Sequence, residues 1–397
     1  MQFGRLLFFC SWATPLLAAP ASILVAPFNN ESQAAELNWI GESISETLMT
    51  ELGASGQIVL DRRARSEGYL RLGLKPDSSY TKATLLKLGQ TLDASLVCYG
   101  LYEIVLPSPN ALPRDGSLRI SARFLDLRKL RDASEFSETG KLNDLSRLEE
   151  HLAWQAIHFI DAQSKISADQ LLKPSKLIRL DAKESYIRGL LATDREQKQK
   201  WFEQAVKLDS QYAQPQFELG TLAINRRDYR QAAAFFSRVS LGDPLYLEAR
   251  FRLGLSSYLA GDFPTAKAAF RELSQSAPLN EVFNNLGAAE SRLSETSAAD
   301  DFKRALDGDS SDPTYNFNLA IVLYRQARYD EAAQRLRTVL EHMPDDREAS
   351  SLLMRCQQRT PLASGANPRT VPAERLKANF DLNAFRQLKA MVEAAHQ

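Results

Sequence analysis

The fold of the second half of the chain is decided by two stretches that correspond position by position, QFELGTLAINRRDYRQAAAFF (216–236) and RFRLGLSSYLAGDFPTAKAAF (250–270). Each contains a Leu-Gly pair, an alanine twelve residues after the glycine, and a phenylalanine four residues beyond the alanine. A third Leu-Gly pair and a Leu-Ala pair follow, so that the four pairs are separated by 34, 33 and 33 residues. A period of this length predicts a solenoid built from repeated helix pairs.

The spacing has a simple physical reading. Small residues let two antiparallel helices approach closely, a large residue fills the space beneath them, and proline ends the second helix of a unit. An earlier, divergent unit contains Gly189. The predicted structural positions are Gly189, Gly220, Ala232, Phe236, Gly254, Ala266, Phe270, Gly287, Ala299, Ala320 and Ala332, with Lys303 at the position that Phe236 and Phe270 occupy in their own units.

This pattern resembles the tetratricopeptide repeat, with about five repeats and a capping helix over residues 181–358. The resemblance implies a right-handed superhelix whose first helices line a concave groove that binds peptide segments or helices. Some of the groove's aromatic rings could instead pack between neighbouring repeats. Counted from the glycines, the predicted groove residues are Tyr186, Phe217, Phe251, Tyr258, Asn284, Phe317 and Tyr324.

The first half has a different pattern. Short apolar runs such as Ile23–Phe28 and Ala94–Tyr102 alternate with amphipathic helical segments, which predicts an α/β domain over residues 22–165, followed by a linker over 166–180. The motifs VAPFNN (25–30), ASLVCYG (94–100) and LRISARFLD (118–126) resemble the TolB amino-terminal-like domain, related in kind to flagellar and curli assembly proteins. That resemblance implies a periplasmic or secreted module that mediates protein contacts.

Residues 1–21 combine an early Arg5, an apolar middle and the small-residue triplet Ala19-Pro20-Ala21. This combination predicts a secretory signal peptide cleaved near Ala21, and a mature chain without an integral membrane span. A short first helix packed in the core is the alternative. We therefore expect a periplasmic or secreted protein.

The composition limits the chemistry. Lys and Arg number 49, as do Asp and Glu, so the formal net charge is zero and a nucleic-acid partner is not expected. The compact cluster Arg62, Arg63 and Arg65 and the pair Glu149-Glu150 are read as solvated helix surfaces. No nucleophile elbow, phosphate loop or metal-ligand spacing is present, which predicts a protein that is not an enzyme and needs no cofactor or metal.

A Pro- and Gly-containing linker over 359–372 precedes a predicted amphipathic helix over 373–397, with Leu376 and Phe380 on its apolar face. This helix either folds back onto its own chain or docks in a second copy or another protein. The sequence thus predicts an exported adaptor that binds envelope proteins through the repeat groove. The alternative is a ligand sensor whose cleft lies near Asn29, Asn30 and Tyr102.

Overall fold

The computed structural model describes residues 22–32, 34–76, 79–106, 108, 115–171, 178–361, 372–382, 384, 385 and 389. The predicted signal peptide lies outside these residues. The fold is an α/β domain followed by an all-α solenoid, as the sequence predicts. Within the described residues, no helix is both long and apolar enough to cross a bilayer.

The α/β domain is built on one mixed sheet. Its strands are β1 (Ser22–Val25), β2 (Asn29–Asn30), β3 (Ile58–Val59), β4 (Leu96–Val105), β5 (Ser117–Asp126), β6 (Arg131–Asp132) and β7 (Phe136–Lys141). The order is β3-β1-β4-β5-β6; β2 pairs with β4 and β7 with β5. Strands β1 to β4 pair in parallel, whereas β5 pairs antiparallel with β4, β6 and β7.

Helices cover both faces of this sheet. The helices of the domain are α1 (Trp39–Ala54), α2 (Arg62–Leu72), α3 (Lys82–Thr91) and α4 (Leu145–Ile160), followed by the short α5 (Ala168–Leu171). Successive side chains of a strand point to opposite faces. Ile23 and Val25 accordingly pack in the cluster with α1 and α4, while Leu24 and Ala26 pack in the cluster with α2 and α3.

The solenoid consists of five antiparallel helix pairs and a final single helix. The first helices are α6 (Leu180–Leu191), α8 (Ala213–Asn225), α10 (Tyr246–Leu259), α12 (Asn280–Arg292) and α14 (Pro313–Arg325). The second helices are α7 (Arg195–Leu208), α9 (Tyr229–Phe236), α11 (Phe263–Ser276), α13 (Ala298–Gly308) and α15 (Tyr329–His342), and α16 (Arg347–Gln357) follows.

A glycine of the first helix faces a phenylalanine ring of the second in four of the pairs. A methyl group added at Gly254 would lie 2.6 Å from Cζ of Phe270, and one at Gly220 would lie 2.7 Å from Cζ of Phe236. Both rings are fully buried. The glycines are therefore required for close helix approach, because the rings have no space into which to retreat.

The fourth helix pair, α12 and α13, departs from the predicted alignment by one residue. Gly287 faces Phe302, 3.0 Å from a methyl group placed there, whereas the predicted Lys303 is exposed. The backbone of Ala298 also faces Gly287, one residue before the predicted Ala299, which lies beside it and is also buried. The facing ring comes fifteen residues after the glycine in this unit, against sixteen in the units of Gly220 and Gly254.

The prediction that the basic cluster is a solvated surface holds for Arg63, which is exposed, and is wrong for Arg65. Arg65 is only 2% exposed and pairs with Glu42 of α1. It also donates hydrogen bonds to Val25 O at 3.0 Å and to Ser45 Oγ at 2.6 Å. A buried guanidinium requires such partners, and here they join α2 to α1 and β1.

The pair Glu149-Glu150 is likewise not a solvated helix face. Glu149 is fully buried, accepts a hydrogen bond from Thr47 at 2.9 Å, and forms an ion pair with Lys183 of α6. The surrounding apolar cluster runs from the sheet through α1 and α4 to Tyr186 and Tyr212 of the first repeats. The α/β domain and the start of the solenoid therefore share one core.

We predict that Gly254→Ala lowers the free energy of unfolding by about 1–3 kcal/mol, because the added methyl group overpacks against Phe270. Gly53→Ala is the matched control, since no atom lies within 4 Å of a methyl group at that helical position. The control should be neutral or stabilise by up to about 1 kcal/mol. Urea denaturation measures both; equal effects of the two substitutions would contradict the packing argument.

A second prediction concerns Glu46 of α1. Burial, followed by the nearby Glu42 carboxylate, raises the pKa of Glu46 from 4.5 to about 8, despite the opposing charges of Arg62 and Arg65. The folded state therefore binds more protons than the unfolded state between about pH 4.5 and 8, so this group's contribution to stability falls as pH rises through that window.

Glu46→Gln removes that titration. The free energy of unfolding of the Glu46→Gln chain, minus that of the unsubstituted chain, should be higher at pH 9 than at pH 5 by on the order of 1 kcal/mol or more. Urea denaturation at both pH values measures this difference. The exposed Glu67→Gln serves as the control for loss of one carboxylate. A Glu46→Gln difference that does not change with pH would refute the assignment.

Candidate peptide-binding groove

The groove of the solenoid holds a segment of the chain itself. Residues 372–380 have no helical or strand structure, and they lie against the first helices α10, α12 and α14 and the start of α16. The prediction of a helix beginning at residue 373 is therefore wrong for this part. Leu382, Ala384, Phe385 and Lys389 are helical, and Ala384 N and Phe385 N donate hydrogen bonds to Asp381. The described helical residues thus begin at Leu382 and not at residue 373; residues 383, 386–388 and 390–397 lie outside the described part.

Three buried asparagines hold the main chain of this segment. Asn318 accepts a hydrogen bond from Arg375 N at 2.7 Å and donates one to Arg375 O at 2.7 Å. Asn285 makes the same pair of bonds to Lys377, accepting from its N at 2.9 Å and donating to its O at 2.8 Å. Each amide thus binds one residue as a neighbouring β-strand would.

Asn284 completes this arrangement. It donates to Arg375 O at 3.0 Å and to Asn285 Oδ1 at 3.1 Å, and it accepts from Asn318 Nδ2 at 2.8 Å. All three asparagine side chains are fully buried. Their amides are consequently held in one orientation, with the remaining donors and acceptors directed at the segment.

A closed pocket surrounds the Glu374 carboxylate. One of its oxygens accepts hydrogen bonds from Ser291 Oγ and Arg325 Nη1, both at 2.6 Å, and the other accepts from Tyr258 Oη at 3.2 Å. Arg292 Nη1 lies 3.9 Å away. Burial, and then the adjoining carboxylate, raises the pKa of Tyr258, so the phenol remains a hydrogen-bond donor at neutral pH.

The next side chain, Arg375, leaves the opposite side of the segment. Its guanidinium donates to both carboxylate oxygens of Asp346, at 2.6 and 2.9 Å, and to Glu348 at 3.0 Å. Its central carbon lies 3.5 Å from the ring centroid of Phe317. The hydrogen bonds from Arg375 lower the pKa of Asp346, as expected for a carboxylate held in a forked ion pair.

Two further residues of the segment, Lys377 and Phe380, contact the first helices. Lys377 Nζ donates to Asp312 at 2.6 Å and lies 4.9 Å from the ring centroid of Tyr315. The ring of Phe380 stacks on that of Phe251, with 4.8 Å between centroids and 12° between planes. The segment therefore contacts the third, fourth and fifth helix pairs.

The predicted groove residues divide into two groups. Phe251, Tyr258, Asn284 and Phe317 contact the segment. The other three lie elsewhere. Tyr324 donates to Thr360 O at 2.8 Å, Phe217 is covered by Arg252, and Tyr186 packs in the core shared with the α/β domain.

Sequence reasoning missed the two asparagines that bind main chain most directly, Asn285 and Asn318. A signal was available, because they lie 33 residues apart at the same position of neighbouring repeats, two residues before Gly287 and Ala320. The aromatic rings that the second and third helix pairs carry one residue earlier, Phe217 and Phe251, favour that earlier position instead.

The predicted ligand cleft of the α/β domain is only partly as expected. Asn29 and Asn30 line an open cleft of about 590 Å³ between this domain and the first repeat, together with Trp39, Arg188 and Trp201. Tyr102 does not line it, because this side chain is buried in the core and its hydroxyl donates to Leu37 O at 2.8 Å.

Comparison with known proteins identifies the repeats. Residues 217–281 and 296–356 each match a sequence model of the tetratricopeptide repeat. The helix pairs of this part of the chain are therefore tetratricopeptide repeats, a class of protein-binding scaffold. No curated protein matches the chain. The likeness of residues 22–165 to the TolB amino-terminal domain stays a prediction.

Several solved structures are similar in fold. YrrB, a tetratricopeptide repeat protein with an unusual peptide-binding site, is 15% identical with a TM-score of 0.39, over 45% of this chain and 92% of YrrB. PilF of Pseudomonas aeruginosa is 19% identical with a TM-score of 0.37, over 45% and 83%. The C-terminal domain of LpoB from Salmonella enterica is 16% identical with a TM-score of 0.25, over 32% and 87%.

Proposed function

We propose that this protein is an exported, non-enzymatic adaptor whose repeat groove binds an extended segment of a partner protein in the cell envelope. The observation that carries the proposal is the pair of two-bond contacts from Asn285 and Asn318 to main-chain groups. Such contacts recognise the polypeptide backbone itself, with side-chain pockets adding selectivity.

The burial of the asparagines supports the same function. An amide side chain that is removed from water and left without partners costs about 1–3 kcal/mol. Asn285 and Asn318 are fully buried when the segment is in place, and their amide groups form hydrogen bonds to its main chain. An empty groove would expose these groups to water, ready to bind another extended chain.

The connection between the two halves supports an adaptor. Glu149 and Lys183 pair across the junction, and one apolar cluster extends through it. A partner bound in the groove would thus be held in a defined orientation relative to anything bound by the α/β domain. The alternative function, a ligand sensor, would use the open cleft near Asn29. The groove provides more directed hydrogen bonds than this cleft, so we base the proposal on the groove.

The proposed location rests on the sequence of residues 1–21 and on the TolB-like resemblance of the domain that follows. The proposal that the protein is not an enzyme rests on the failure of each catalytic motif sought in the sequence. Together with the groove, these features favour a binding role in envelope assembly.

Peptide binding can be tested in the full-length chain with its own segment displaced. Glu374→Lys places an ammonium group beside Arg325, and Arg375→Glu places a carboxylate beside Asp346 and Glu348, so both substitutions oppose occupancy by charge repulsion. A labelled peptide of residues 372–382 should bind this E374K/R375E chain in a fluorescence anisotropy titration. The A378K/N379E chain is the matched control, because both of its changed positions are exposed.

Methylated peptides test whether the main chain is recognised. N-methylation at Arg375 or Lys377 removes a donor to Asn318 or Asn285 and should weaken binding at least tenfold. N-methylation at Leu376, whose amide makes no hydrogen bond to the described residues, should have a smaller effect. A natively folded E374K/R375E chain that binds none of these peptides would refute the groove assignment.

Export is tested separately by fractionation of cells that produce the chain with a C-terminal tag. We expect a periplasmic or secreted product shortened by about 21 residues, since signal peptidases cleave after small residues, as shown by mass spectrometry of its N-terminus. Replacing Leu6 and Leu7 with Arg should retain the chain in the cytoplasm. An uncleaved, cytoplasmic unsubstituted chain would contradict the proposed location.

A further inference from the structure

Resting on the proposed function, we infer that the groove selects partner segments in which an acidic residue is followed directly by arginine, and that residues 374–380 are a tethered competitor for the same site. Partners must displace this segment in order to bind. The inference follows from the two side-chain sites described above and from the identity of their present occupant.

The first site is built for a carboxylate. The Glu374 side chain is completely enclosed, and Ser291, Arg325 and Tyr258 all donate to it. A neutral amide of the same size would bring an NH₂ group toward these donors and would leave the positive charge of Arg325 unbalanced. A basic residue would be repelled. Glutamate is therefore favoured at this position of a ligand.

The second site is built for a guanidinium. Asp346 accepts two hydrogen bonds from Arg375 in a forked geometry while Phe317 covers the planar face of the group. Lysine has one point-like ammonium group and cannot make both contacts in the same way. Since Asp346 also caps α16 by accepting a hydrogen bond from Ala349 N at 3.0 Å, its position is fixed before a ligand arrives.

The asparagines set the register between these sites and the ligand. Asn318 binds the main chain of the residue whose side chain enters the guanidinium site, so an acidic residue directly before that residue faces the carboxylate pocket. A segment with the same residues in reversed order would place each charge beside like charges. The selectivity is thus for an ordered Glu-Arg pair in an extended chain.

The placement of polar groups distinguishes a ligand site from an ordinary repeat contact. At the two positions that precede Leu-Gly, the second and third helix pairs carry Phe217-Glu218 and Phe251-Arg252, whereas the fourth carries Asn284-Asn285. Apolar rings would fill this space without any need for partners. The asparagines instead hold a segment whose Ala373, Ala378 and Asn379 remain exposed, as in a bound peptide.

A covalently attached ligand has a large advantage over a free one. Ligands joined to their site by short linkers act at effective concentrations of order mM. Fourteen residues, 358–371, separate α16 from the segment. A free peptide of the same sequence should therefore bind the unsubstituted chain far more weakly than a chain whose own segment has been displaced.

The test compares full-length chains and four peptides, the 372–382 peptide and three substituted forms of it, by fluorescence anisotropy. The 372–382 peptide should bind the E374K/R375E chain at least tenfold more tightly than it binds the unsubstituted or A378K/N379E chains. Glu374→Gln in the peptide should weaken its binding to the E374K/R375E chain at least tenfold, and Arg375→Lys at least fivefold. Ala378→Ser, at an exposed position, should stay within twofold.

Hydrogen exchange of the unsubstituted chain provides a second measurement that does not depend on the folding of a variant. Excess peptide should accelerate exchange at the Arg375 and Lys377 amides of the chain while the helix amides of α12 and α14 stay protected. No acceleration at saturating peptide would overturn the displacement. Analytical ultracentrifugation supplies one more outcome: a dimer lost in the E374K/R375E chain would show that the segment occupies a second copy, which overturns tethering within one chain.

These outcomes separate the two proposals. Absence of peptide binding to a natively folded E374K/R375E chain refutes peptide recognition by the groove. Equal binding of the 372–382 peptide and its Glu374→Gln and Arg375→Lys forms leaves that function standing and overturns the Glu-Arg selectivity. Equal binding of the first peptide by the unsubstituted and E374K/R375E chains overturns the competition.

Discussion

The structure depends on the close approach of two helices over a glycine in four of the five repeats. At Gly220 and Gly254 even one methyl group would overlap a buried phenylalanine ring. Because this contact sets the angle and distance between the two helices, it also sets the direction in which the other face of the first helix points. That face carries the residues that bind the segment, so the groove is a consequence of the packing behind it.

Polar groups make the groove specific. A wall made only of aromatic rings would hold many apolar chains with little preference for register. Buried amides and charges tolerate few arrangements, since each requires a partner at a defined place. Asn318 fixes the main chain at Arg375. Asp346 pairs with the side chain of that residue, and Arg325 pairs with the side chain of Glu374 directly before it. The same burial joins the two halves of the protein at Glu149 and Lys183.

The occupied groove changes how the repeat array can be understood. Glu374 of the same chain fills the carboxylate site beside Arg325, and Arg375 fills the guanidinium site beside Asp346. Occupancy from within the chain stabilises the last repeats and shields their polar groups. It also makes access to the groove an equilibrium, in which release of the segment uncovers the recognition surface.

The sequence by itself determined the period of the solenoid, the strands and helices of the first domain, and four of the residues that meet the segment. These follow from local rules, because hydrophobic spacing reports which face of an element is buried. Only the tertiary structure decided that residues 372–380 are extended. The spacing of Leu376 and Phe380 suits a helix equally well, and main-chain groups that a helix would pair internally are paired here by asparagines 57 to 92 residues away in the sequence. Arg65 and Glu149 were misjudged for a related reason. A charged residue in a sequence carries no sign of its partner, and these two became buried because Glu42 and Lys183 were brought to them by the fold.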